Sequence, residues 1–218
     1  MAIKALYHLE DLADSSGNGW NLAKTGTVDF IAAKMNKGAS ATWSNSNCLN
    51  YGNSFWNVGT SNFTLGCWFK KNGAPTNDVL PTIFNIQNEA GTSRVRLGIE
   101  KNTGKFIVEV YGSTTSVKAY SSASVCDNVW HLLVGTRISS TIYNYVDLTL
   151  NNSAGSAGLN TSVDRLKIGQ IGDASYDNLG AAVIDEIVIA DTAWSISEQK
   201  AFYYKVRGGV AIGSPMIF

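Results

Sequence analysis

Three oxygen-bearing side chains occupy alternate positions of one glycine-containing segment near the start of the chain. Asp14, Ser16 and Asn18 stand two residues apart, and Gly19 follows them. Carboxylate, hydroxyl and amide oxygens are ligands that Ca²⁺ takes in proteins, so the segment is a candidate calcium turn. It is not an EF-hand, because Thr25 stands where a bidentate glutamate would close a twelve-residue loop. The alternative is an Asx-type turn without a metal ion.

The histidines do not occur in a catalytic pattern. Neither His8 nor His131 lies in a nucleophile elbow or in a zinc-binding helix motif. His131 follows Trp130 in an apolar segment, where a histidine with structural hydrogen bonds is the expected interpretation. Because no nucleophile and base are paired, the sequence predicts a protein that is not an enzyme.

Aromatic side chains offer a different chemistry, the stacking of sugar rings. Tyr143 and Tyr145 share the polar face of one predicted strand, and Trp68 lies opposite the apolar face of another. The apolar C–H faces of sugars pack on such rings, so these three residues are a candidate glycan platform. The alternative for each ring is a place in the core.

A polar segment before the last predicted strand is a second candidate for ligand binding. The segment 173–178 combines carboxylates, an aromatic ring and an amide. Loops of this kind recognise glycans or protein partners, although an ordinary solvated loop has the same composition. Asp173, Tyr176, Asp177 and Asn178 are its candidate ligand-binding residues.

Charge and hydropathy exclude several classes of protein. The 218 residues include 17 basic and 17 acidic ones, and no basic stripe is present, which argues against nucleic-acid binding. No run of about 18 apolar residues predicts a membrane span. Residues 1–7 are too short and too polar for a signal peptide, so we expect folding in a cytoplasm. Cys48, Cys67 and Cys126 lack metal-ligand spacing and are expected to be buried thiols.

Alternation of apolar and polar residues predicts an antiparallel β-sandwich. Phe106 and Val110 face one side of a predicted strand, and Glu109 faces the other. Turns such as Asn102-Thr103-Gly104 and Asn151-Asn152-Ser153 separate the strands. The predicted strands are Ala2–Leu9, Phe63–Lys70, Thr82–Ile86, Val95–Glu100, Phe106–Tyr111, Trp130–Arg137, Tyr143–Leu150, Leu166–Ile168 and Ala182–Ala190.

One helix is predicted near the end of the chain. Ser195 and Glu198 have the spacing of a capping box, and Gln199–Val206 continues with helix-tolerant residues. No repeat or Pro-rich linker marks a domain boundary. The sequence therefore predicts one all-β domain over residues 1–207, a two-sheet antiparallel sandwich with a short C-terminal helix, and the family resemblance described next implies that this sandwich is a jelly roll. An apolar tail follows over residues 208–218.

Four blocks of sequence resemble the laminin-G-like branch of the concanavalin A-like lectin and glucanase jelly rolls. The blocks are Leu6–Asp11 with the turn Asp14–Gly19, Phe63–Phe69 ("F-T-hydrophobic-x-x-W"), Val129–Val134 ("W-H-hydrophobic"), and Ile184–Ala190 ("IDE") with Trp194–Gln199. Together they span nearly the whole chain in the family's order. One departure is Asn151-Asn152, where the family usually has an Asp-Gly hairpin.

The resemblance has implications for the candidate sites. It implies that the terminal Asp-Glu strand can lie beside the first turn, where Asp185 or Glu186 would join Asp14 around a structural Ca²⁺ ion. It also implies a lectin-like, non-catalytic member. Glucanases of this fold hold carboxylates on alternate residues of one strand, and the chain has no Glu-x-Asp-x-x-Glu run. A divergent glycosidase is the least favoured alternative.

A biological role follows from the resemblance and the organisation of the chain. A stand-alone jelly roll with its own Met1 and low charge resembles a bacteriophage virion component, made in the host cytoplasm as a capsid decoration or tail protein. Its partners would be a host glycan or other virion proteins, with a homo-oligomer also open. The alternative is a bacterial carbohydrate-binding module. The segment Val210–Phe218 either docks on another surface or folds back onto its own sandwich.

Overall fold

The computed structural model describes residues 3–52, 54–76, 81–89, 92–112, 115–155, 163, 165–171 and 179–204. The elements in chain order are β1 (Ile3–Tyr7), β2 (Ala23–Thr25), β3 (Asp29–Ala33), β4 (Asn36–Trp43), β5 (Cys48–Tyr51), β6 (Phe63–Lys70), β7 (Thr82–Gln87), β8 (Ser93–Ile99), β9 (Lys105–Gly112), β10 (Thr115–Ser124), β11 (His131–Ile138), β12 (Thr141–Val146), β13 (Thr149–Gly155), β14 (Arg165–Ile168), β15 (Gly180–Ala190) and α1 (Ile196–Tyr203).

The described strands form two antiparallel sheets. The order in the eight-stranded sheet is β13-β12-β11-β6-β15-β4-β3, and β1 pairs with β15 beside this path. The order in the seven-stranded sheet is β10-β9-β8-β7-β14-β5-β2. Both sheets contribute to one apolar cluster, so the predicted all-β jelly-roll sandwich is confirmed.

Alternation along the central strands explains where the core lies. In β6, Phe63, Leu65 and Phe69 are fully buried in the main apolar cluster between the sheets. Trp68 belongs to a second cluster on the opposite face of the same strand. Successive side chains of a strand point to opposite faces, so this one strand contributes to the main cluster on one face and to the second cluster on the other.

One polar side chain links the two sheets inside the core. Asn144 on β12 is fully buried, and its Nδ2 donates to the carbonyl oxygens of Phe106 and Ala119, each at 3.1 Å. These carbonyls belong to β9 and β10 of the opposite sheet. A buried amide needs such partners because its transfer from water is otherwise costly.

The helix lies on the outer face of the eight-stranded sheet. Its capping box is present as predicted: Ser195 accepts from the backbone of Glu198, and the Glu198 carboxylate accepts from the backbone of Ser195. A Cβ on Gly66 would lie 2.2 Å from the Tyr203 hydroxyl, so the glycine allows the close approach. The helix ends at Tyr203, with Tyr204 as its C-cap, and residues 205 and 206 of the predicted continuation lie outside the described residues.

The prediction of one strand over Tyr143–Leu150 is wrong. These residues form the end of β12, a hairpin turn and the start of β13. Asp147 and Leu148 form the turn between β12 and β13, with φ of 51° and 66°. Such left-handed pairs suit the twist of a two-residue hairpin. The predicted turn Asn151-Asn152-Ser153 is also wrong, because these residues belong to β13.

The sequence did not predict β2, β3, β4, β5 or β10. The strand β4 reads Asn-Lys-Gly-Ala-Ser-Ala-Thr-Trp, which is poor in the branched and aromatic residues that favour strands. Tertiary pairing with β15 and β3 holds it in place. The described residues contain no helix that is long and apolar enough to cross a membrane.

Candidate functional site

A row of polar side chains crosses the outer face of the seven-stranded sheet. Strand register aligns them as successive cross-strand partners: Asn50 on β5, Lys167 on β14, Asn85 on β7, Arg96 on β8, Glu109 on β9 and Lys118 on β10. The residues between them in each strand, such as Leu166 and Val108, face the core. Alternation therefore gives this sheet a continuous polar outer face.

Glu109 is the centre of an ion-pair network in this row. Its Oε2 accepts from Nε of Arg96 at 2.8 Å and from Nε of Arg94 at 3.2 Å, and its Oε1 accepts from Ser116 at 2.7 Å. Burial alone would raise the pKa of Glu109, but the two arginines outweigh it and lower the pKa to about 2. The carboxylate is therefore ionised and fully hydrogen-bonded, which suits a structural role.

A cavity of about 300 Å³ opens where the row meets β5 and β2. We call it the β14 pocket and define it by six of its lining residues: Thr25, Asn50, Tyr51, Arg165, Lys167 and Gln170. A second cavity of about 260 Å³ lies toward the other end of the row, where Arg96, Lys118 and Tyr120 line it. The volume of the β14 pocket is at the lower end for small-ligand sites.

Hydrogen bonds fix the polar wall of the β14 pocket. Gln170 is buried; its Oε1 accepts from Sγ of Cys48 at 3.1 Å, and its carbonyl oxygen accepts from Nδ2 of Asn85 at 2.5 Å. Nδ2 of Asn50 donates to the Thr25 hydroxyl at 3.3 Å. Burial raises the pKa of the Cys48 thiol, which favours the protonated form that donates to Gln170.

One aromatic ring belongs to the same pocket. Tyr51 is half-buried and lies in edge contact with Phe55 at 6.1 Å between centroids, and Trp20 lies 6.4 Å from it. These contacts hold the tyrosine ring on β5 in a fixed orientation. The pocket thus combines an aromatic ring, amides and two cations.

The structure shows how the predicted calcium turn is built. Oδ1 of Asp14 accepts from the backbone N–H groups of Leu6 and Ser16, and Oδ2 accepts from Trp20 N–H and the Ser16 hydroxyl. Asn18 donates its amide N–H to the carbonyl of Lys4 at 2.8 Å. This is the Asx-type turn, in which the Asp14 carboxylate connects the turn to β1.

Asp185, the other predicted calcium ligand, has separate partners. Its Oδ2 accepts from the backbone N–H of Met35 at 2.7 Å, and its Oδ1 is buried without a hydrogen-bond partner among the described residues. Burial raises the pKa of Asp185 to about 7. Within the described part of the chain, no three His, Cys, Asp or Glu side chains form a group that could hold a metal ion. Calcium stays a prediction.

A bulge in β15 places Glu186 next to the first strand. The register shifts between Asp185 and Val188, and Glu186 has a φ of 51°. Its Oε2 lies 2.8 Å from Nδ1 of His8. Burial and then the charge of Glu10 raise the pKa of Glu186 to about 8. His8 therefore binds the terminal Asp-Glu segment that the family resemblance places beside the first turn.

The predicted aromatic platform is wrong for Trp68. Its side chain is covered: the residue is 3 % exposed, Tyr203 and Tyr204 make edge contacts at 6.5 and 5.8 Å, and Nζ of Lys34 lies 4.7 Å from the ring centroid. The helix therefore occupies the face where a sugar would stack.

Tyr143 and Tyr145 are half-buried residues on the outer side of β12. Tyr145 packs at the edge of the cluster that contains Trp68. Their role as a glycan surface stays a prediction. Asp173, Tyr176, Asp177 and Asn178 lie outside the described residues, as does the tail 208–218.

The other predicted residues have structural partners. Nδ1 of His131 lies 2.8 Å from Asp147, and Nε2 lies 3.1 Å from Asp127. Burial lowers the pKa of His131, but these two carboxylates outweigh it and raise the pKa above its usual value. Cys48, Cys67 and Cys126 are free and buried, as expected.

Sequence reasoning missed the β14 pocket, although a signal for it existed. Asn85-x-Gln87, Arg94-x-Arg96 and Arg165-x-Lys167 each place two polar residues on one face of a strand. The sequence alone does not show that these pairs form one surface, because it does not show which strands become neighbours in the sheet. The wall formed by β2 and β5 belongs to strands that the sequence did not predict.

Comparison with known families identifies the class of protein. Residues 41–198 match a laminin-G family described as the concanavalin A-like lectin/glucanases superfamily. The chain belongs to this superfamily, and the family resemblance that the sequence indicated is confirmed. Comparison with curated protein sequences finds no significant match.

Solved structures show the same fold at low sequence identity. Domain 4 of AbnA, an extracellular GH43 arabinanase of Geobacillus stearothermophilus solved with arabinotriose, superposes with a TM-score of 0.74 at 17% identity, over 90% of this chain and 95% of that domain. The binding domain of Paraclostridial Mosquitocidal Protein 1 gives 0.72 at 15% identity, over 90% of this chain and 50% of that one. The botulinum neurotoxin DC binding domain, solved with SialylT, gives 0.74 at 12%, over 94% and 51%. The chain thus spans about half of each toxin binding domain.

Proposed function

We propose that this chain is a non-catalytic glycan-binding module whose sugar site is the β14 pocket. The observation that supports this most is the combination, in one cavity of about 300 Å³, of an aromatic ring with fixed amide and hydroxyl groups. Sugar sites need both, because a sugar has an apolar C–H face and a rim of hydroxyls. The arabinotriose complex of the similar arabinanase domain supports the same class of ligand.

Each lining group has a role in this proposal. The Tyr51 ring packs against the C–H face of a sugar. Asn50 and Gln170 exchange hydrogen bonds with its hydroxyls, and their existing bonds to Thr25 and Cys48 fix their orientation. Fixed donors and acceptors improve affinity because little side-chain entropy is lost on binding.

The proposed absence of catalysis is supported by the carboxylates of the polar face. Glu109 is held by Arg94, Arg96 and Ser116, and its low pKa leaves no proton to donate at neutral pH. Glycosidases need a second carboxyl group across the scissile bond, and none of the described residues lining the β14 pocket is Asp or Glu. A polysaccharide panel assayed for reducing ends tests this; turnover lost on one carboxylate substitution would contradict it.

A glycan array followed by calorimetry on the best ligand tests the site. We expect Asn50→Ala to weaken binding about ten-fold or more, because an unpaired sugar hydroxyl and a lost amide together cost about 1.4 kcal/mol or more. Tyr51→Leu should weaken it similarly while keeping an apolar side chain. Asn152→Ala, on the other sheet, is the matched control.

The outer side of β12, with Tyr143 and Tyr145, is the alternative position for the sugar site, and variants there distinguish the two positions. If Tyr143→Ala or Tyr145→Ala removes binding while Asn50→Ala retains it, the sugar binds on the outer side of β12 and the β14 pocket is not the site. Thermal melting of every variant separates lost binding from lost folding.

We also propose that this module is a component of a bacteriophage virion. The alternative is a bacterial carbohydrate-binding module. Host adhesion through a glycan is compatible with the fold and with the pocket. Genes for capsid or tail proteins beside this gene would support the virion role, and genes for polysaccharide degradation would support the alternative.

A further inference from the structure

We propose that Trp20 is a positioning residue of the β14 pocket and holds the Tyr51 ring in the orientation that a sugar needs. This inference rests on the proposed function, because it assigns a further residue to the same site. Tyr51 lines the cavity, whereas Trp20 is not among the described residues that line it. Trp20 therefore acts on a ligand through Tyr51 and not by direct contact.

Three aromatic rings form a cluster beside the pocket. Between ring centroids, Tyr51 lies 6.1 Å from Phe55 in an edge contact and 6.4 Å from Trp20 in a tilted contact. Trp20 and Phe55 lie closer together, at 4.5 Å. Edge and tilted arrangements at such separations are the favourable ones for aromatic pairs. The Tyr51 ring therefore packs against both of its aromatic neighbours.

The three rings differ in how deeply they are buried. Phe55 is buried in the main apolar cluster, and Trp20 and Tyr51 are half-buried and pack against that cluster from the surface. Exposed side chains exchange rotamers rapidly unless their neighbours restrict them. Because the core fixes Phe55, Trp20 is the surface neighbour that restricts the Tyr51 ring.

The backbone of Trp20 is fixed on both sides by hydrogen bonds to the first strand and the first turn. Its N–H donates to Oδ2 of Asp14 at 3.1 Å, and its carbonyl oxygen accepts from the hydroxyl of the fully buried Tyr7 at 2.8 Å. The Asx-type turn at Asp14 therefore determines where the Trp20 ring lies. A ring that is already held in its bound orientation improves affinity, because less side-chain entropy is lost on binding.

Single variants test the proposal by calorimetry with the best oligosaccharide from the glycan array. We expect Trp20→Ala to weaken binding about ten-fold, the factor that 1.4 kcal/mol represents. Trp20→Phe should bind almost as tightly as the wild-type protein, because a ring remains beside Tyr51. Trp130→Ala is the matched control: it also removes a half-buried tryptophan, but from the cluster on the other sheet, and should leave affinity unchanged.

A double-mutant cycle separates positioning from a general structural effect. In the Tyr51→Leu background there is no tyrosine ring to position, so we expect Trp20→Ala to cause no further loss of affinity. A merely structural role would give the same loss in both backgrounds. Melting curves verify that each variant is folded. If Trp20→Ala does not fold, Trp20→Leu takes its place in the cycle, because it keeps an apolar side chain but no ring.

The outcomes separate the inference from the proposed function. Unchanged affinity in Trp20→Ala, with binding still weakened in Tyr51→Leu, overturns the positioning role and leaves the glycan site in place. Equal losses from Trp20→Ala in both backgrounds also overturn the inference, because the tryptophan then acts independently of Tyr51. Absence of binding to every glycan overturns both the inference and the proposed function.

Discussion

Glu109 is the residue on which the most charges of the polar face converge. Arg94 and Arg96 bind it directly, and Nζ of Lys118 lies 3.6 Å away. A buried carboxylate with several donors is stable as an ion, but its removal leaves cations in a poorly hydrated environment. The network therefore stabilises the sheet next to the proposed sugar site.

We expect Glu109→Gln to destabilise the protein by about 3–5 kcal/mol, the usual cost of removing one partner of a buried ion pair. Urea denaturation measures it. Glu89→Gln is the control, because it removes a carboxylate from an exposed pair and should cost less than about 1 kcal/mol. Similar costs for the two variants would contradict the structural role of Glu109.

The same carboxylate predicts how stability depends on pH. The folded-state pKa of Glu109 is about 2, below the ordinary value of 4.5, so its contribution is present above pH 4.5 and is lost as the pH falls toward 2. We expect wild-type protein to lose free energy of unfolding across this window. Glu109→Gln should lose less over the same range, and identical slopes for both proteins would disprove the assignment.

At the scale of single residues, the sequence predicted local hydrogen bonds better than it predicted which side chains form a ligand site. Asp14 and Ser16 form the turn that their spacing indicated, since an Asx-type turn depends on neighbours two residues apart. Trp68 could not be distinguished from a surface ring, because the residues that cover it, Tyr203 and Tyr204, are more than 130 positions away. The pocket residues Asn50 and Lys167 are likewise far apart in the chain and adjacent only through strand pairing.

At the scale of elements, strong local patterns were predicted correctly and weak ones were not. The bounds of β6 match the prediction because its alternation includes large apolar residues. The hairpin at Asp147 and Leu148 was missed because Asp-Leu is not a typical turn pair. Asp147 accepts from Leu132 N–H and contacts His131, and these bonds to β11 hold the unusual turn.

The end of β14 depends on one glycine. Gly169 has a φ of +77°, and a Cβ there would lie 2.1 Å from Cε3 of the buried Trp43. We expect Gly169→Ala to destabilise the protein by about 2–5 kcal/mol, the sum of left-handed strain and overpacking. Chemical denaturation measures the change.

Gly17→Ala is the matched control for this prediction. Gly17 has a φ of +89°, but no atom lies within 4 Å of its added Cβ, so only the backbone cost of about 1–2 kcal/mol applies. If both variants lose the same free energy, then Trp43 moves aside at no cost and the close contact has no structural importance.

For the whole molecule, the sequence predicted the architecture because its signal is distributed over many strands. Four separate blocks resemble one family, and the superfamily match covers residues 41–198. Structures with 12–17% identity share the fold, so alternation and turn positions define it with few shared residues. A ligand class depends on a few side chains in one cavity and is not distributed in this way.

The predicted Ca²⁺ ion is tested on the whole molecule. Oδ1 of Asp185 is buried and has no hydrogen-bond partner among the described residues, so an oxygen is available to a cation. We expect added Ca²⁺ to raise the melting midpoint relative to EDTA, because a ligand of the folded state stabilises it. Asp185→Asn should abolish the difference, and Asp29→Asn, at an exposed position, should keep it. An unchanged melting midpoint would contradict the prediction of a bound Ca²⁺ ion.

The amide of Asn144 has a consequence for how the two sheets are aligned. Apolar packing tolerates small sliding movements, whereas two hydrogen bonds to particular carbonyls have a direction and a length. Displacement of one sheet by a single strand spacing, about 4.8 Å, would break both bonds inside the core. Asn144 thus fixes the offset between the two sheets. Because the strands then keep one relative position, the cavities that they form on the outer face keep one shape.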